Sequence, residues 1–434
     1  MKIKIFAFVL ALSMLLSMAT ACATNDKATD DNSDKEKVEY DGLVITDEYR
    51  VIRADSASKA VVKSAVYLCD QINAAASLNV TLTTDFVKRG EEIPTKEILI
   101  GKTSRETEFD KATLKEGEYF VGVEGTRLII DAYDDETLYF AVIEIAKKWL
   151  TDGVGIQDDG VLLVNDQICQ TMGGIDLTTH DSILVLSQNM RSGNDGNGND
   201  IKDRAPRFRK LVEKYQPDII GTQETTKSWN DYFKSYFKNE YGMVGCSRDG
   251  RNATSGEWNT ILYRLDRFEL LDSDTFWLSN TPEKKSVIDG SLCYRICTWA
   301  LLKDKQTGKT VLMCNTHLDH GTDEVREAQC NILLNYIKTK LGDYPTYITG
   351  DYNFVPTSDG YRAMTKTWLD AHDEAIVDYS TTQLTFHSYD KPKKEIDFCF
   401  YNEKSTAISY YIVSDDFGGY VSDHYGVLTK FTVN

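Results

Sequence analysis

Between residues 181 and 434, short apolar runs recur, and each stops on a polar residue. ILVLSQNM carries Asn189 near its end, PDIIGTQE stops on Glu224, and TVLMCNTHLDH reaches His317. PTYITGDYN arrives at Asp351 and Asn353, EIDFCFY opens on Asp397, and SDHYGV contains Asp423 and His424. Runs this short, bounded by turn residues, read as buried strands, and the amphipathic stretches between them read as helices. One such stretch has Pro206 in the place of a first-turn proline, followed by Phe208, Leu211, Val212 and Tyr215 on one face. Alternating strands and helices predict an α/β fold, with the polar residues gathered where strands end.

The chain has 434 residues, which is long for one core and predicts a second domain. Residues 41–166 read as a small α/β accessory domain. Ser58 to Ala76 is an expected helix with Val62, Val66, Cys69 and Ile72 on its buried face. EYFVGVEGTRLIIDA reads as a hairpin turning at Glu124-Gly125-Thr126, and Glu136 to Leu150 as a second helix. Residues 172–180 are an expected linker, and residues 181–434 the catalytic domain.

Upstream, Lys2 and Lys4 precede an apolar run from Ile5 to Met18, too short for a membrane span and typical of a signal peptide over residues 1–21. Ala19-Thr20-Ala21-Cys22 resembles a bacterial lipobox. It implies lipidation of Cys22 and a cell-membrane lipoprotein on the extracytoplasmic face. Residues 22–40 are polar, and the segment after Cys22 reads as a disordered tether. The remaining cysteines lack a CxxC pair and sit mostly in apolar runs, as buried free thiols do.

The formal net charge is -18. That balance disfavours sequence-blind binding of nucleic acid, which relies on Lys and Arg to neutralise phosphates. Residues 181–434 hold 30 basic and 36 acidic side chains, so most of the excess lies upstream.

The strand-end set contains hard oxygen ligands suited to Mg²⁺ or Mn²⁺, and two histidines able to move protons near neutral pH. Hydrolysis of a phosphate ester needs both. Together SQNMR, PDIIGTQE, NTHLDH, GDYNFVP, EIDF and SDHYGV resemble, in this order, the endonuclease/exonuclease/phosphatase superfamily. DTFWLSNTP and RICTW further resemble a bacterial and fungal branch of it. The resemblance implies a four-layer α/β sandwich of two packed sheets flanked by helices. It implies that Glu224 and Asp423 are metal ligands with Asn189 beside them, and that Asp351 and Asn353 position water and phosphate. His424 is implied as base or electrostatic partner of that water, held by Asp397, and His317 as a donor to a phosphate oxygen. Arg191, Arg295 and Asp319 are candidate substrate contacts.

Within a metal-dependent phosphoesterase the substrate stays open on the sequence. A small phosphate ester fits the charge best, a sphingomyelin- or phosphoinositide-type headgroup is the alternative, and a nuclease is not favoured. EILIGKTSR and the hairpin segment resemble the small α/β domain that precedes the catalytic barrel of many glycoside hydrolases. A packing role and a glycan contact are both expectations for it. A surface glycan-binding module is the non-enzymatic alternative for the whole chain.

Overall fold

The computed structural model describes residues 39–434 apart from 153, 170–172, 175–181 and 195. Cys22, the tether and most of the expected linker lie outside the described residues.

The N-terminal lobe comprises β1 (Leu43–Ile45), β2 (Arg50–Arg53), α1 (Lys59–Ala76), β3 (Thr81–Thr84), β4 (Glu97–Ile100), β5 (Glu118–Glu124), β6 (Arg127–Ala132), α2 (Asp135–Ala146), β7 (Leu162–Val164) and β8 (Gly173–Gly174). Six strands form one sheet in the order β3-β2-β4-β6-β5-β8, with β3, β2, β4 and β6 parallel. The two-residue pleat splits its apolar side chains between two faces. Val51, Ile98, Ile100, Leu128 and Ile130 meet the helices, while Ile52, Leu99 and Ile129 pack on the other face beside Phe109 and Phe120.

Helix α1 starts at Ser58, whose side chain accepts from the Val61 amide. Its buried stripe is Val61, Ala65, Leu68 and Ile72, with Cys69 at the edge, and Val66 is exposed. The face is therefore rotated from the expected one. The helix is apolar around much of its circumference, so more than one stripe satisfies the 3.6-residue period.

The C-terminal lobe continues with β9 (Ser182–Asn189), α3 (Ile201–Tyr215), β10 (Ile219–Thr225), α4 (Lys227–Tyr236), β11 (Tyr241–Val244), β12 (Trp258–Arg264), β13 (Phe268–Trp277), β14 (Ile296–Asp304), β15 (Thr310–His317) and α5 (Asp323–Tyr336). It ends with β16 (Thr346–Asp351), α6 (Asp359–Thr365), β17 (Leu369–Asp370), α7 (Ala371–Glu374), β18 (Val377–Asp378), β19 (Asp397–Tyr401), β20 (Ser405–Val413) and β21 (Gly426–Val433). Two sheets form, in the orders β11-β12-β10-β9-β21-β20-β18 and β13-β14-β15-β16-β19-β17.

Between the sheets lie Val185, Ile219, Ile261, Met313, Tyr347, Ile412 and Phe431. Phe208, Leu211, Trp229 and Phe233 of α3 and α4 cover the outer face of the first sheet at Leu186, Ile220 and Leu262. Cys330 and Leu333 of α5, with Tyr361 and Met364 of α6, cover the second at Leu312, Ile348 and Phe398. This is the four-layer α/β sandwich. Pro206 lies inside α3, one turn later than a first-turn proline, because the helix already begins at Ile201.

Gly42–Asn434 packs as one compact unit. Ile376 and Ile408 of the C-terminal lobe are buried in the core of the N-terminal lobe. Lys430 Nζ lies 2.6 Å from Glu136 Oε1, and Tyr379 donates to Glu136 Oε2 at 3.1 Å. Beside this junction His372 is paired with Glu395 at 2.5 Å and Asp378 at 3.5 Å, and its ring stacks on Tyr410. The described cysteines are all free thiols.

Candidate active site

Register brings the polar strand ends together. In the first sheet the parallel pair β9 and β10 sets Asn189 opposite Gln223, with Glu224 next. In the second sheet the parallel pair β15 and β16 sets His317 opposite Asp351, and β19 places Asp397 opposite Asp351. Both parallel pairs therefore end at the same edge of the sandwich. Asn189 joins the sheets: its Nδ2 donates to Glu224 Oε1 at 3.1 Å and to Asp351 Oδ2 at 2.9 Å.

A polar plug underlies this edge. Gln223 Nε2 donates to Asn315 Oδ1 at 2.7 Å and to Ser187 Oγ at 3.1 Å, and Thr349 Oγ1 donates to Asn315 Oδ1 at 3.1 Å. Gly221 leaves room for it, since a Cβ there would stand 2.1 Å from Thr349 Oγ1. Hydrogen bonds linked across the two sheets in this way favour one geometry.

On the opposite side of Asp351 stands a histidine–aspartate pair. His424 Nδ1 is 2.8 Å from Asp397 Oδ2, an oxygen that also accepts from Thr385 Oγ1 at 2.6 Å. His424 Nε2 lies 3.9 Å from Asp351 Oδ2 and 4.0 Å from Asp423 Oδ1. His317 Nε2 lies 3.5 Å from Asp351 Oδ2 and 3.0 Å from Asn353 Nδ2. That amide also donates to the Leu318 carbonyl at 3.1 Å, which orients it toward His317 as a donor.

Burial and neighbouring charge separate these groups. Burial pushes the Asp351 carboxyl up, the charges of Asp397 and Glu224 add to it, and it reaches about 7. Burial alone would lower His424, but Asp397 and then Asp351 outweigh it and push the imidazole up to about 10. Burial lowers His317 well below the usual histidine range, and the Arg295 and Arg248 charges lower it further. At neutral pH His424 is a cation and His317 is neutral. Burial opposes the Glu224 charge, yet the Ser192 amide, Asn189 and His424 hold its carboxyl below the ordinary value.

Backbone strain concentrates here. Among the described residues, seven other than glycine have positive φ. Ser77 and Gln216 close α1 and α3. The other five are Arg191, Glu224, Asn353, Ser388 and Tyr389, all at this edge. Such residues cost about 1–3 kcal/mol each and persist where surrounding structure holds them. Glu224 sits at an irregularity between Thr222 and Thr225 that turns it out of the pleat. Asn353 is held by its amide donating to Asp351 Oδ1 at 3.0 Å.

Two walls flank the centre. On one side the Arg191 guanidinium lies 4.7 Å from the Tyr389 ring centroid, with its Nε 3.8 Å from Asp423 Oδ2. On the other, Arg295 is buried and its Nη2 meets His320 Nδ1 at 3.1 Å. Arg248 joins this wall through a 2.8 Å ion pair with Glu257. Asp319 is placed elsewhere than expected. It is fully buried, and its oxygens accept from the backbone amides of Leu292 and Gly321. It holds those loops through backbone amides.

The family model for the endonuclease/exonuclease/phosphatase family matches residues 186–424, more than half of the chain. The chain belongs to that family. It resembles the crystal structure of an endonuclease/exonuclease/phosphatase from Bacteroides vulgatus at 30% identity and TM-score 0.56, covering 58% of this chain and 99% of that one. A family protein from Bacteroides thetaiotaomicron is similar at 27% identity and TM-score 0.55, over 58% and 98%. A mannosyl-6-phosphatase from Bacteroides thetaiotaomicron VPI-5482 is similar at 26% identity and TM-score 0.54, over 58% and 99%. No curated protein matches the chain.

Members of the endonuclease/exonuclease/phosphatase family hydrolyse phosphate esters, and the residues fit a divalent cation. Ligand-capable atoms of Glu224, His317 and Asp351 lie within 4.8 Å of one another, as do those of Asp351, Asp397 and His424. In the second set the contacts are already the His424–Asp397 hydrogen bond, so the Glu224–Asp351 side is the better cradle. Asn189 faces the carboxylates with its amide nitrogen, which is no metal ligand, and its Oδ1 accepts from the Arg191 amide at 2.8 Å. It holds the ligands in place. Asp423 belongs to neither set and stands on the Arg191 side. Arg248 and Glu257 joined the site only on folding, because neither lies in a motif that distinguishes it from a surface residue.

Proposed function

We propose that the chain is an extracytoplasmic, lipid-anchored phosphohydrolase that uses Mg²⁺ or Mn²⁺ to split a phosphomonoester of a small hydroxyl-rich alcohol. One observation carries the reading. The Glu224–Asn189–Asp351 bridge faces the His424–Asp397 pair, with His317 and Asn353 closing the third side.

Glu224 and Asp351 would hold the cation, with Asp423 at the rim. When bound, it neutralises phosphoryl oxygens and makes phosphorus more electrophilic. A water oxygen attacks phosphorus, the bond from phosphorus to the alcohol oxygen breaks, and phosphate and alcohol leave. The Asp351 carboxylate, kept ionised by the cation, would orient the attacking water as a hydrogen-bond acceptor. His424, held as a cation by Asp397, stabilises the negative charge that develops on the transferring group. Arg295 would donate to phosphoryl oxygens, and the Asn353 side-chain amide orients neutral His317 beside them.

The cationic pair of Arg248 and Arg295 supports a terminal, dianionic phosphate. The likeness to a mannosyl-6-phosphatase supports a sugar ester. The acidic balance of the chain weighs against nucleic acid. The test is phosphate release from a panel of mono- and diesters with Mg²⁺, Mn²⁺ or EDTA. Monoesters are expected to turn over only with metal. Equal turnover after exhaustive chelation sinks the metal assignment, and turnover of diesters alone sinks the monoester assignment.

A further inference from the structure

We infer that Arg191, Tyr389 and Tyr420 form a subsite for the alcohol portion of the substrate, and that it selects a hydroxyl-rich ring over a plain alkyl group. The inference rests on the phosphoesterase reading above.

The wall is built to hold its shape. Ser388 and Tyr389 are consecutive residues at φ 54 and 58, and Arg191 adopts φ 48. The strained turn is pinned by the His387 and Ser388 amides, which both donate at 3.0 Å to the carbonyl of Asp423, the residue before His424. The Tyr389 amide donates to His387 Nδ1 at 3.0 Å, and the His387 ring is buried between Tyr420 and Tyr425, each 4.4 Å away. On its other flank the Arg191 amide donates to Asn189, the residue that bridges Glu224 and Asp351. The wall is thus tied to the reaction centre from both sides. Strain held this firmly beside a centre of chemistry points to ligand positioning.

Its chemistry selects the ligand. The Arg191 guanidinium already covers the Tyr389 face, so that ring does not accept a stacked nucleobase. A planar guanidinium held flat against a ring has the N–H geometry that matches hydroxyl oxygens. Asp423 lies 3.8 Å from Arg191 Nε and offsets its charge, which disfavours a second phosphate and favours a neutral polyol. Tyr420 is exposed, its ring centroid 5.9 Å from that of Tyr389, and offers an apolar face to the C–H side of a sugar ring. The opposite wall, with Arg248 and Arg295 and, among the described residues, Glu257 paired with Arg248, suits the phosphoryl group.

The test compares kcat/KM for mannose 6-phosphate with kcat/KM for methyl phosphate, using the Mg²⁺-loaded full chain. Tyr389→Ala is expected to lower that ratio by about tenfold or more, chiefly through KM for the sugar ester. Tyr389→Phe, which keeps the ring beneath Arg191, is expected to retain the ratio. Arg191→Lys keeps the charge, removes the fork and is expected to lower the ratio as well. It carries the comparison if Tyr389→Ala does not fold. An unchanged ratio in folded Tyr389→Ala or Arg191→Lys overturns the subsite. Absence of phosphate release from both esters in the unsubstituted protein overturns the phosphoesterase reading and the subsite with it.

Discussion

His424 Nδ1 lies 2.8 Å from Asp397 Oδ2, and Thr385 donates to that same oxygen, so a carboxylate anchored in the sandwich orients the imidazole beside Asp351. His424→Ala is expected to lower kcat by about 10²–10³, the loss of one preorganised cationic donor. Asp397→Asn is expected to reproduce much of that loss, and the double variant to cost little more than either alone, because the two act as one unit. Full additivity in steady-state kinetics would show that they act separately.

Glu224 and Asp351 are held for the cation by Asn189. Asn189→Ala removes both hydrogen bonds and leaves the half-buried Glu224 and buried Asp351 carboxylates to repel one another. Its apparent affinity for Mg²⁺, read by calorimetry or by metal dependence of kcat, is expected to fall by about 10–100-fold. Glu224→Gln is expected to require still more metal. Wild-type metal affinity in both variants would place the cation elsewhere.

His372 predicts a pH dependence of stability away from the site. Burial alone would lower it, but Asp378 and Glu395 outweigh burial and push it up to about 10. The folded pKa is above the ordinary 6.5, so this contribution is complete below about 6.5 and is lost as pH rises through 10. The melting temperature is expected to decline between pH 7 and 10, and His372→Gln to flatten that decline while lowering the value at pH 7. Melting curves across that range decide it, and an equal slope in the variant removes the assignment.

The N-terminal lobe is expected to stabilise rather than catalyse. A chain starting at residue 175 would expose Ile376 and Ile408 and leave Lys430 without Glu136. It is expected to melt lower yet keep most phosphate release per folded molecule on a small ester. A folded truncation without turnover would show that the lobe completes the site.

Cys22→Ser is expected to move the protein from the membrane fraction to the soluble fraction. Retention on the membrane after a high-salt wash would refute lipid anchoring at that residue.

Strand ends bearing Asn189, Glu224, His317, Asp351 and Asp397 were legible in the chain because a buried strand has a short apolar period and a polar stop. Their order along the chain carried the family likeness, and with it the four layers. Helix α1 was legible as a helix but not by face, since Val62 and Val66 satisfy the same spacing as Val61, Ala65 and Leu68. The electrostatic order of the site was not legible. Asp351 and Asp397 are the same residue type, and only the placement of Asn189 and His424 makes one face the Glu224 side and the other an anchor of the imidazole. The walls were least legible of all. Tyr389 reaches Arg191 across 198 positions of sequence, and both take backbone conformations their side chains do not favour. Local sequence determined which strands form and which polar groups end them, because those depend on side-chain periodicity. Only the packed tertiary structure decided how these groups face one another, because that depends on sheet register and on strain held in place by distant residues.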